Sequence, residues 1–191
     1  WRTWLKVHAQ RHTKFDFAPR HEQFWEWVWG MEHGNEVDPF VAIWPRGGAK
    51  ATRAELSCGA VAARSARRYG LYVCETQEQA DDHVGNVAAM LESAEFTRHY
   101  PQAADRAVGK YGASKGWRRN RLRTASGFTL DAIGLDSAAR GAKVDEDRPD
   151  LIIFDDLDGE LDSPDTIAKK IRILTRKIIP ARSSDPAILA V

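Results

Sequence analysis

The sequence is poor in cysteine and methionine and carries almost no net charge. Of its 191 residues two are Cys and two are Met, and 28 basic side chains offset 27 acidic ones to a net charge of +1. Cys58 and Cys74 are too few for a disulfide framework or a multi-cysteine zinc site. We therefore expect both thiols to be small core residues in a reducing compartment. No apolar run approaches the ~20 residues needed to cross a bilayer, which excludes a membrane-spanning helix.

The composition and the charge pattern are those of a folded domain with two oppositely charged blocks. Hydrophobic residues make up 43% of the sequence, which excludes a disordered chain. The chain begins at Trp1 rather than at a methionine, and we expect it to be a piece of a longer protein. Residues 106–123 hold seven basic side chains and no acid, whereas residues 145–165 hold ten acids and one arginine. Such blocks favour a polyanion contact and a cation site, respectively.

Apolar periodicity predicts an α/β domain with a mostly parallel sheet covered on both faces. Aromatic anchors in the first thirty residues indicate short helices docked on it. The predicted strands are residues 40–44, 71–74, 151–154 and 187–191, with a hairpin over 122–125 and 128–133. Three further helices are predicted. The first runs from Lys50 to about Arg68, the second begins at a capping box formed by Thr76 and Gln79, and the third runs from Ser163-Pro164 to about Ile179. Residues 97–121 are expected to be irregular.

A strand, a glycine-rich turn and a helix beginning at Lys50 give the order of a phosphate-binding loop. Glycines let backbone N–H groups converge on phosphate oxygens, and the helix N-terminus adds partial positive charge. The pattern Gly-x-x-x-x-Gly-Lys-Ser/Thr is incomplete, because Trp44, Ala49 and Ala51 replace its two glycines and its hydroxyl residue. The candidate phosphate-binding residues are Arg46, Gly47, Gly48, Ala49, Lys50, Ala51 and Thr52. A structural turn with an exposed lysine is the alternative.

The strand predicted at 151–154 ends in two adjacent carboxylates, Asp155 and Asp156. The first acid at such a strand end can hold Mg²⁺, and the second can polarise an attacking water. Burying both without a cation would be strongly unfavourable. Together with the loop, they predict a site for ATP with Mg²⁺; the alternative is an acidic surface loop.

Four segments together resemble the ATPase domain of the phage large terminase subunit, the motor that drives double-stranded DNA into a viral capsid. They are residues 45–52, 72–80, 140–141 and 148–156. The resemblance implies a three-layer α/β P-loop NTPase of the RecA-like ASCE type, with a mostly parallel central sheet. It divides the chain into an N-terminal helical segment with an adenine-contacting region, residues 1–39, and an ATPase core, residues 40–191. We expect the core to stop before the coupling motif and the nuclease domain of that family.

The resemblance also implies roles for single residues. Gln23 would contact adenine, Lys50 the β- and γ-phosphates, and Asp155 the magnesium ion. Asp156 would orient the attacking water. Arg46 would stabilise the transition state in cis, or Arg140 would do so on the ATP of a neighbouring subunit.

The implied partners are those of a packaging motor. They are double-stranded DNA, the portal protein, the small terminase subunit and like subunits in a ring on the capsid, in the host cell cytoplasm and without a membrane. Lysine and arginine side chains of the basic block would neutralise DNA phosphates or contact a ring neighbour. The candidates are Lys115, Arg118, Arg119 and Arg121, and a solvated loop is the alternative.

Two other functions stay open. A helicase-like, nucleic-acid-dependent ATPase would use the same chemistry. A nucleotide-binding assembly module with impaired turnover would explain Ala49 and Ala51. Thr52 does not simply replace the missing hydroxyl, because one residue along a helix turns the side chain by about 100°.

Overall fold

A central sheet organises the fold. The computed structural model describes residues 1–13, 16–45, 47–137, 148–159 and 161–191. The strands within these residues are β1 Phe40–Val41, β2 Tyr69–Cys74, β3 Arg121–Arg123, β4 Thr129–Gly134, β5 Leu151–Phe154 and β6 Ala187–Ala190. They form one sheet of six strands in the order β1-β6-β5-β2-β4-β3. β3 and β4 pair antiparallel, and the other neighbours pair parallel.

Helices connect the strands and precede them. The α-helices are α1 Arg2–His8, α2 Pro19–Gly30, α3 Lys50–Arg64, α4 Gln77–Leu91, α5 Ala94–His99, α6 Pro101–Ala104 and α7 Pro164–Ile173. A short 3₁₀ helix, Gln10–His12, follows α1. Thr76 caps α4 through the predicted reciprocal bonds with Gln79. In the described part of the chain, no helix has the length and apolar character that crossing a membrane requires.

The sheet is covered on both faces, because its side chains alternate between two apolar clusters. Leu71 and Val73 of β2 pack with Ile173 and Ile178 on the α7 side. Tyr72 and Cys74 belong to the larger cluster, which includes side chains of α1 to α4. This arrangement confirms the predicted α/β architecture with a mostly parallel sheet. Cys58 and Cys74 are buried, as expected, and burial raises the pKa of the Cys74 thiol to about 12.

Arg64 of α3 fixes the N-terminal helices to the core. Its guanidinium donates hydrogen bonds to the carbonyl oxygens of Val28, Trp29 and Met31, at 2.9 to 3.1 Å. These carbonyls lie at the C-terminal end of α2, where no further turn of helix can satisfy them. Trp25 of α2 is buried in the same cluster as α3. The docked aromatic helices that the sequence predicts are therefore held by both apolar burial and backbone capping.

Several element boundaries differ from the predicted ones. β1 ends at Val41 rather than at residue 44, because the Trp44 N–H turns back to the Ala42 carbonyl at 3.0 Å. α3 ends at Arg64, since Ser65 takes a left-handed backbone conformation (φ 51°). α7 keeps α-helical geometry to Ile173 and continues as a π turn, Leu174–Ile178. Residues 97–121 were expected to be irregular, but this segment contains the end of α5 and the whole of α6.

Candidate functional site

The loop after β1 and the acids after β5 face each other across one cavity. The carboxyl ends of parallel strands meet at one edge of a sheet, which is where α/β proteins bind ligands. The cavity has a volume of about 600 Å³, within the range of small-molecule sites. Its lining consists of Pro45, Gly47, Gly48, Ala49, Lys50, Ala51, Thr52, His83, Asp155, Asp156 and Val191. The structure thus brings together two motifs that lie about a hundred residues apart in the sequence.

The described residues of the loop make a tight turn into α3. Gly47 has a φ of +82°, which favours glycine. Gly48 has no space for a side chain, since a Cβ there would lie 2.9 Å from the Pro45 carbonyl oxygen. No side chain caps α3 at Ala49. Among the described residues, the first N–H groups of α3 therefore have no helical or side-chain partner, as phosphate binding requires.

Ala49 occupies a backbone conformation that suits glycine. Its φ and ψ are 57° and 39°, in the left-handed region. For a residue with a Cβ this region costs roughly 1–2 kcal/mol. The glycine that the phosphate-loop pattern places here would avoid this cost. Ala49 is thus a strained substitution at the turn, whereas Ala51 lies in regular helix and lacks only the hydroxyl.

Asp155 is buried at the end of β5 and is held in position. Its Oδ2 accepts a hydrogen bond of 2.8 Å from the Tyr72 hydroxyl, and its backbone N–H donates to the Val73 carbonyl at 2.9 Å. Burial raises the pKa of the Asp155 carboxyl; the Tyr72 bond and the charges of His83 and Lys50 oppose that rise. A cation at this carboxylate would offset the cost of its burial.

Asp156 differs from its neighbour in exposure and in backbone. It is exposed and has a φ of +49°, a conformation that aspartate tolerates better than most residues. Its carbonyl accepts a hydrogen bond of 3.2 Å from the Glu75 N–H, which ties the loop after β5 to the end of β2. The two acids therefore present one buried and one solvated carboxylate to the cavity.

A glutamate and a histidine that sequence reasoning missed complete the site. His83 of α4 stacks on Tyr72, with ring centroids 4.8 Å apart, and its Nε2 lies 3.7 Å from Asp155 Oδ2. Its Nδ1 lies 2.7 Å from Glu55 Oε1, and Asn86 donates to the same oxygen at 2.8 Å. Burial lowers the pKa of His83, but the Glu55 bond and the charges of Asp155, Glu55 and Asp82 outweigh burial and raise it. No local motif marks these residues, since Glu55 and His83 are 28 positions apart and meet only through helix packing.

A half-buried lysine, Lys170, orders the chain that leaves the site. Lys170 Nζ donates to Glu75 Oε1 at 2.7 Å and to the Leu157 carbonyl at 2.8 Å, and it pairs with Asp162. Asp162 Oδ2 in turn accepts a bond of 3.0 Å from the Gly159 N–H. Part of the acidic block is therefore neutralised internally. Of the acids in that block that the structure describes, Asp155 and Asp156 line the cavity.

The other predicted site residues lie elsewhere. Gln23 is exposed on α2 and does not line the cavity. Arg46 and Arg140 lie outside the described residues, so their predicted roles stay predictions. Among the residues that the structure describes, no group of three or more His, Cys, Asp and Glu side chains could hold a metal ion by itself.

The basic block lies at the β3 edge of the sheet, and β1 forms the opposite edge. Two of the four predicted contact residues pair with acids. Arg119 lies 3.4 Å from Asp81, and Arg121 forms a double hydrogen bond with Asp131. Lys115 and Arg118 are exposed. The available positive charge of this block is therefore smaller than the sequence indicates.

Replacing Ala49 by glycine tests the strained turn. Ala49→Gly removes the Cβ that the left-handed conformation disfavours, so the free energy of unfolding should rise by about 1 kcal/mol. Ala168→Gly is the matched control, because Ala168 is exposed within α7 and glycine in a helix costs about 1 kcal/mol. Urea denaturation measures both changes. A similar loss of stability from both substitutions would contradict the left-handed turn at Ala49.

Comparison with known proteins gives no information on the chemistry of this site. No protein-family model matches the chain, and no curated protein matches its sequence. What the structure provides is a glycine turn, a lysine at a helix start and two strand-end carboxylates around one cavity.

Proposed function

We propose that the chain is the ATP-hydrolysing motor domain of a viral terminase large subunit, powering the translocation of double-stranded DNA into a procapsid. One observation carries the proposal: the backbone of residues 47–52, Lys50 and both strand-end acids line the same cavity. Phosphate groups need converging N–H donors and a cation, and Mg²⁺ needs a carboxylate nearby. This combination supports a magnesium nucleotide as the ligand.

The strand order supports the finer fold assignment, a P-loop NTPase of the RecA-like ASCE type. β6 lies between the strand that precedes the loop and the strand that ends in the acids, and all three are parallel. The loop and the acids are thus separated by the width of one strand. That separation leaves room for a phosphate chain between them.

The residues present fit a magnesium nucleotide. The described turn has no room for a side chain at Gly48 and leaves the first N–H groups of α3 free of a side-chain cap. Among the described residues, the basic groups near the buried Asp155 carboxylate are His83, whose Nε2 lies 3.7 Å from Oδ2, and Lys50. Asp155 would hold Mg²⁺ together with phosphate oxygens and water, because Mg²⁺ usually keeps several waters and few protein ligands. When bound, Mg²⁺ neutralises charge on the phosphate oxygens.

Each residue of the site has a distinct part in the proposed hydrolysis. The N–H groups of residues 47–52 would cradle the phosphates, and Lys50 would neutralise charge on the β- and γ-phosphates. Tyr72 and His83 would hold the Asp155 carboxylate in place through the contacts described above. Asp156 would accept a hydrogen bond from the attacking water and orient it. Arg46 or Arg140 would stabilise the transition state, the latter from a neighbouring subunit.

A nucleotide-binding assembly module with impaired turnover is the second candidate. The observation that favours it is Ala51, which lines the cavity but has no hydroxyl for Mg²⁺. The left-handed Ala49 adds to it, because a strained turn lowers the fraction of molecules with a preformed loop. Turnover separates the two candidates: a motor hydrolyses ATP repeatedly, and a module binds it without release of phosphate.

The proposed partners are those of a packaging motor: double-stranded DNA, the portal protein, the small terminase subunit and like subunits in a ring. On this chain, Lys115 and Arg118 are the exposed, basic candidates for DNA phosphates. Arg119 and Arg121 would contribute less, since each already pairs with an acid. If one of these arginines leaves its acid to bind a DNA phosphate, the carboxylate loses its partner, and this cost weakens the binding.

Two substitutions in the loop test nucleotide binding. Lys50→Ala should weaken ATP binding by about 30-fold or more, because a hydrogen bond between charged groups contributes about 2 kcal/mol. Ala51→Ser should strengthen binding by up to about tenfold, and only with Mg²⁺, because it restores the hydroxyl. Isothermal titration calorimetry with and without Mg²⁺ measures both.

Lys169→Ala is the control for Lys50→Ala, since Lys169 is exposed on α7 and the change of charge is the same. It should leave ATP affinity unchanged. Full ATP affinity in Lys50→Ala, or no effect of Mg²⁺ on the gain from Ala51→Ser, would contradict the phosphate-loop assignment.

The basic block predicts DNA binding that weakens steeply with salt. Each phosphate contact adds about −0.9 to the slope of log K against log salt concentration. The double variant Lys115→Ala, Arg118→Ala should lower the magnitude of that slope by about 1–2. Lys169→Ala with Arg172→Ala is the matched control on α7, with the same loss of charge. Fluorescence anisotropy with duplex DNA measures the slope; an equal effect of both pairs would rule out this surface.

A further inference from the structure

Arg53 of α3 is a buried cation that has no anionic partner in the part of the chain that the structure describes. It is 8% exposed, and its Nε has no hydrogen-bond partner. Within the described residues, its side chain makes neither an ion pair nor a hydrogen bond. Arg64 and Arg67, on and just beyond the same helix, instead donate to carbonyl oxygens. An unpaired buried charge is strongly unfavourable, and within the described residues the groups that face the Arg53 guanidinium are two aromatic rings, Phe17 and Trp44, rather than an anion.

His21 of α2 lies beside Arg53 and, among the described residues, has no anionic partner either. Both of its ring nitrogens are buried and make no hydrogen bond of normal geometry, although the Gly48 carbonyl lies close to the ring. Its ring packs edge-on against Trp44, with centroids 5.1 Å apart. The Arg53 guanidinium lies 5.9 Å from the same Trp44 ring and 5.9 Å from Phe17. Arg53 and His21 therefore share one aromatic wall.

The electrostatic environment of the pair is positive. Burial lowers the pKa of His21, and the charges of Arg53 and Arg20 lower it further. Burial also lowers the pKa of the Arg53 guanidinium, and Arg20 adds to that effect. No acid of the described residues affects the pKa of either group. An anion between them would relieve this repulsion and satisfy the free donors.

We propose that Arg53 and His21 form a binding site for a phosphate-class oxyanion on the α2 side of the phosphate loop. Neither residue lines the cavity that holds Lys50 and Asp155, so the site is distinct from that cavity. The planar guanidinium matches the oxygens of a phosphate, and the imidazole adds a third donor. Arg20, exposed at the rim, attracts the anion.

The burial of Arg53 limits the size of the ligand. Because Arg53 as a whole is only 8% exposed, its guanidinium is reached by a small anion or by the terminal group of a ligand, and not by the backbone of a DNA duplex. Two sources provide such a group: free inorganic phosphate, and a phosphate of a nucleotide bound in the neighbouring cavity. Both have the same chemistry, and the experiment below distinguishes them.

Thermal unfolding with inorganic phosphate tests the site in a Lys50→Ala chain, which lacks the main cation of the phosphate loop. At a phosphate concentration about tenfold above Kd, and with chloride holding the ionic strength constant, the Tm should rise by about 3 °C or more. Arg53→Met in the same chain should abolish this rise. A rise that survives Arg53→Met, or no rise with Arg53 present, would overturn the proposal.

Arg64→Met is the matched control for Arg53→Met, because it makes the same change on the same helix. Arg64 is already bonded to carbonyl oxygens, so its loss should lower the Tm and leave the phosphate-dependent rise intact. If Arg53→Met fails to fold, His21→Asn removes the imidazole alone. Phosphate binding measured by calorimetry should then weaken by about tenfold, and unchanged binding would overturn the site.

Chains with Lys50 intact identify the source of the phosphate. If a bound nucleotide supplies it, Arg53→Met weakens ATP binding by about tenfold, and added phosphate has no further effect on the ATP-saturated protein. If free phosphate is the ligand, Arg53→Met leaves ATP affinity unchanged and phosphate still raises the Tm. If the unsubstituted chain fails to bind ATP while phosphate still raises its Tm, the phosphate loop is refuted and this site stands, so the two proposals fail separately.

Discussion

Backbone hydrogen bonds hold β6 between β1 and β5 and place the two halves of the site at one sheet edge. The Ala42 N–H donates to the Ala190 carbonyl at 2.7 Å, and the Val191 N–H donates to the Phe154 carbonyl at 2.9 Å. Through these bonds the register of β6 fixes both the residue at which the phosphate loop leaves the sheet and the residue at which Asp155 leaves it. The cavity, its acids and its lysine all depend on this parallel pairing.

Packing behind the sheet edge sets the electrostatics of the site. Tyr72 and His83 hold Asp155 from the α4 side, and Glu55 of α3 holds His83. These contacts hold the buried carboxylate in one orientation. Two residues that line the cavity, Ala49 and Asp156, have a strained, left-handed backbone conformation. Backbone strain at a site of this kind is stable only where the surrounding structure fixes it.

Most of the fold could be predicted from local patterns. The apolar run of β5, the capping box of α4 and the Gly47-Gly48 turn each specify an element from neighbouring residues. Boundaries were less predictable, because they depend on pairing partners. The strand expected at 40–44 ends at Val41, where the chain turns away from β6. A short motif shows that a turn exists, but the neighbouring strand decides its position.

The site could be predicted only in part for the same reason. Lys50 and Asp155 belong to motifs that a sequence displays, and the structure brings them to one cavity. Glu55 meets His83 across 28 positions, and Lys170 meets Glu75 across 95. Arg53 is distinctive for the partner that it lacks among the described residues. Tertiary packing creates these features, so no spacing rule in the sequence predicts them.

A crystal structure with a non-hydrolysable ATP analogue and Mg²⁺ tests the central claim most directly. We expect the β- and γ-phosphates to contact the N–H groups of residues 47–52, with Lys50 bound to their oxygens and the magnesium ion beside Asp155. A nucleotide bound elsewhere, or a magnesium ion that is not near Asp155, would contradict it.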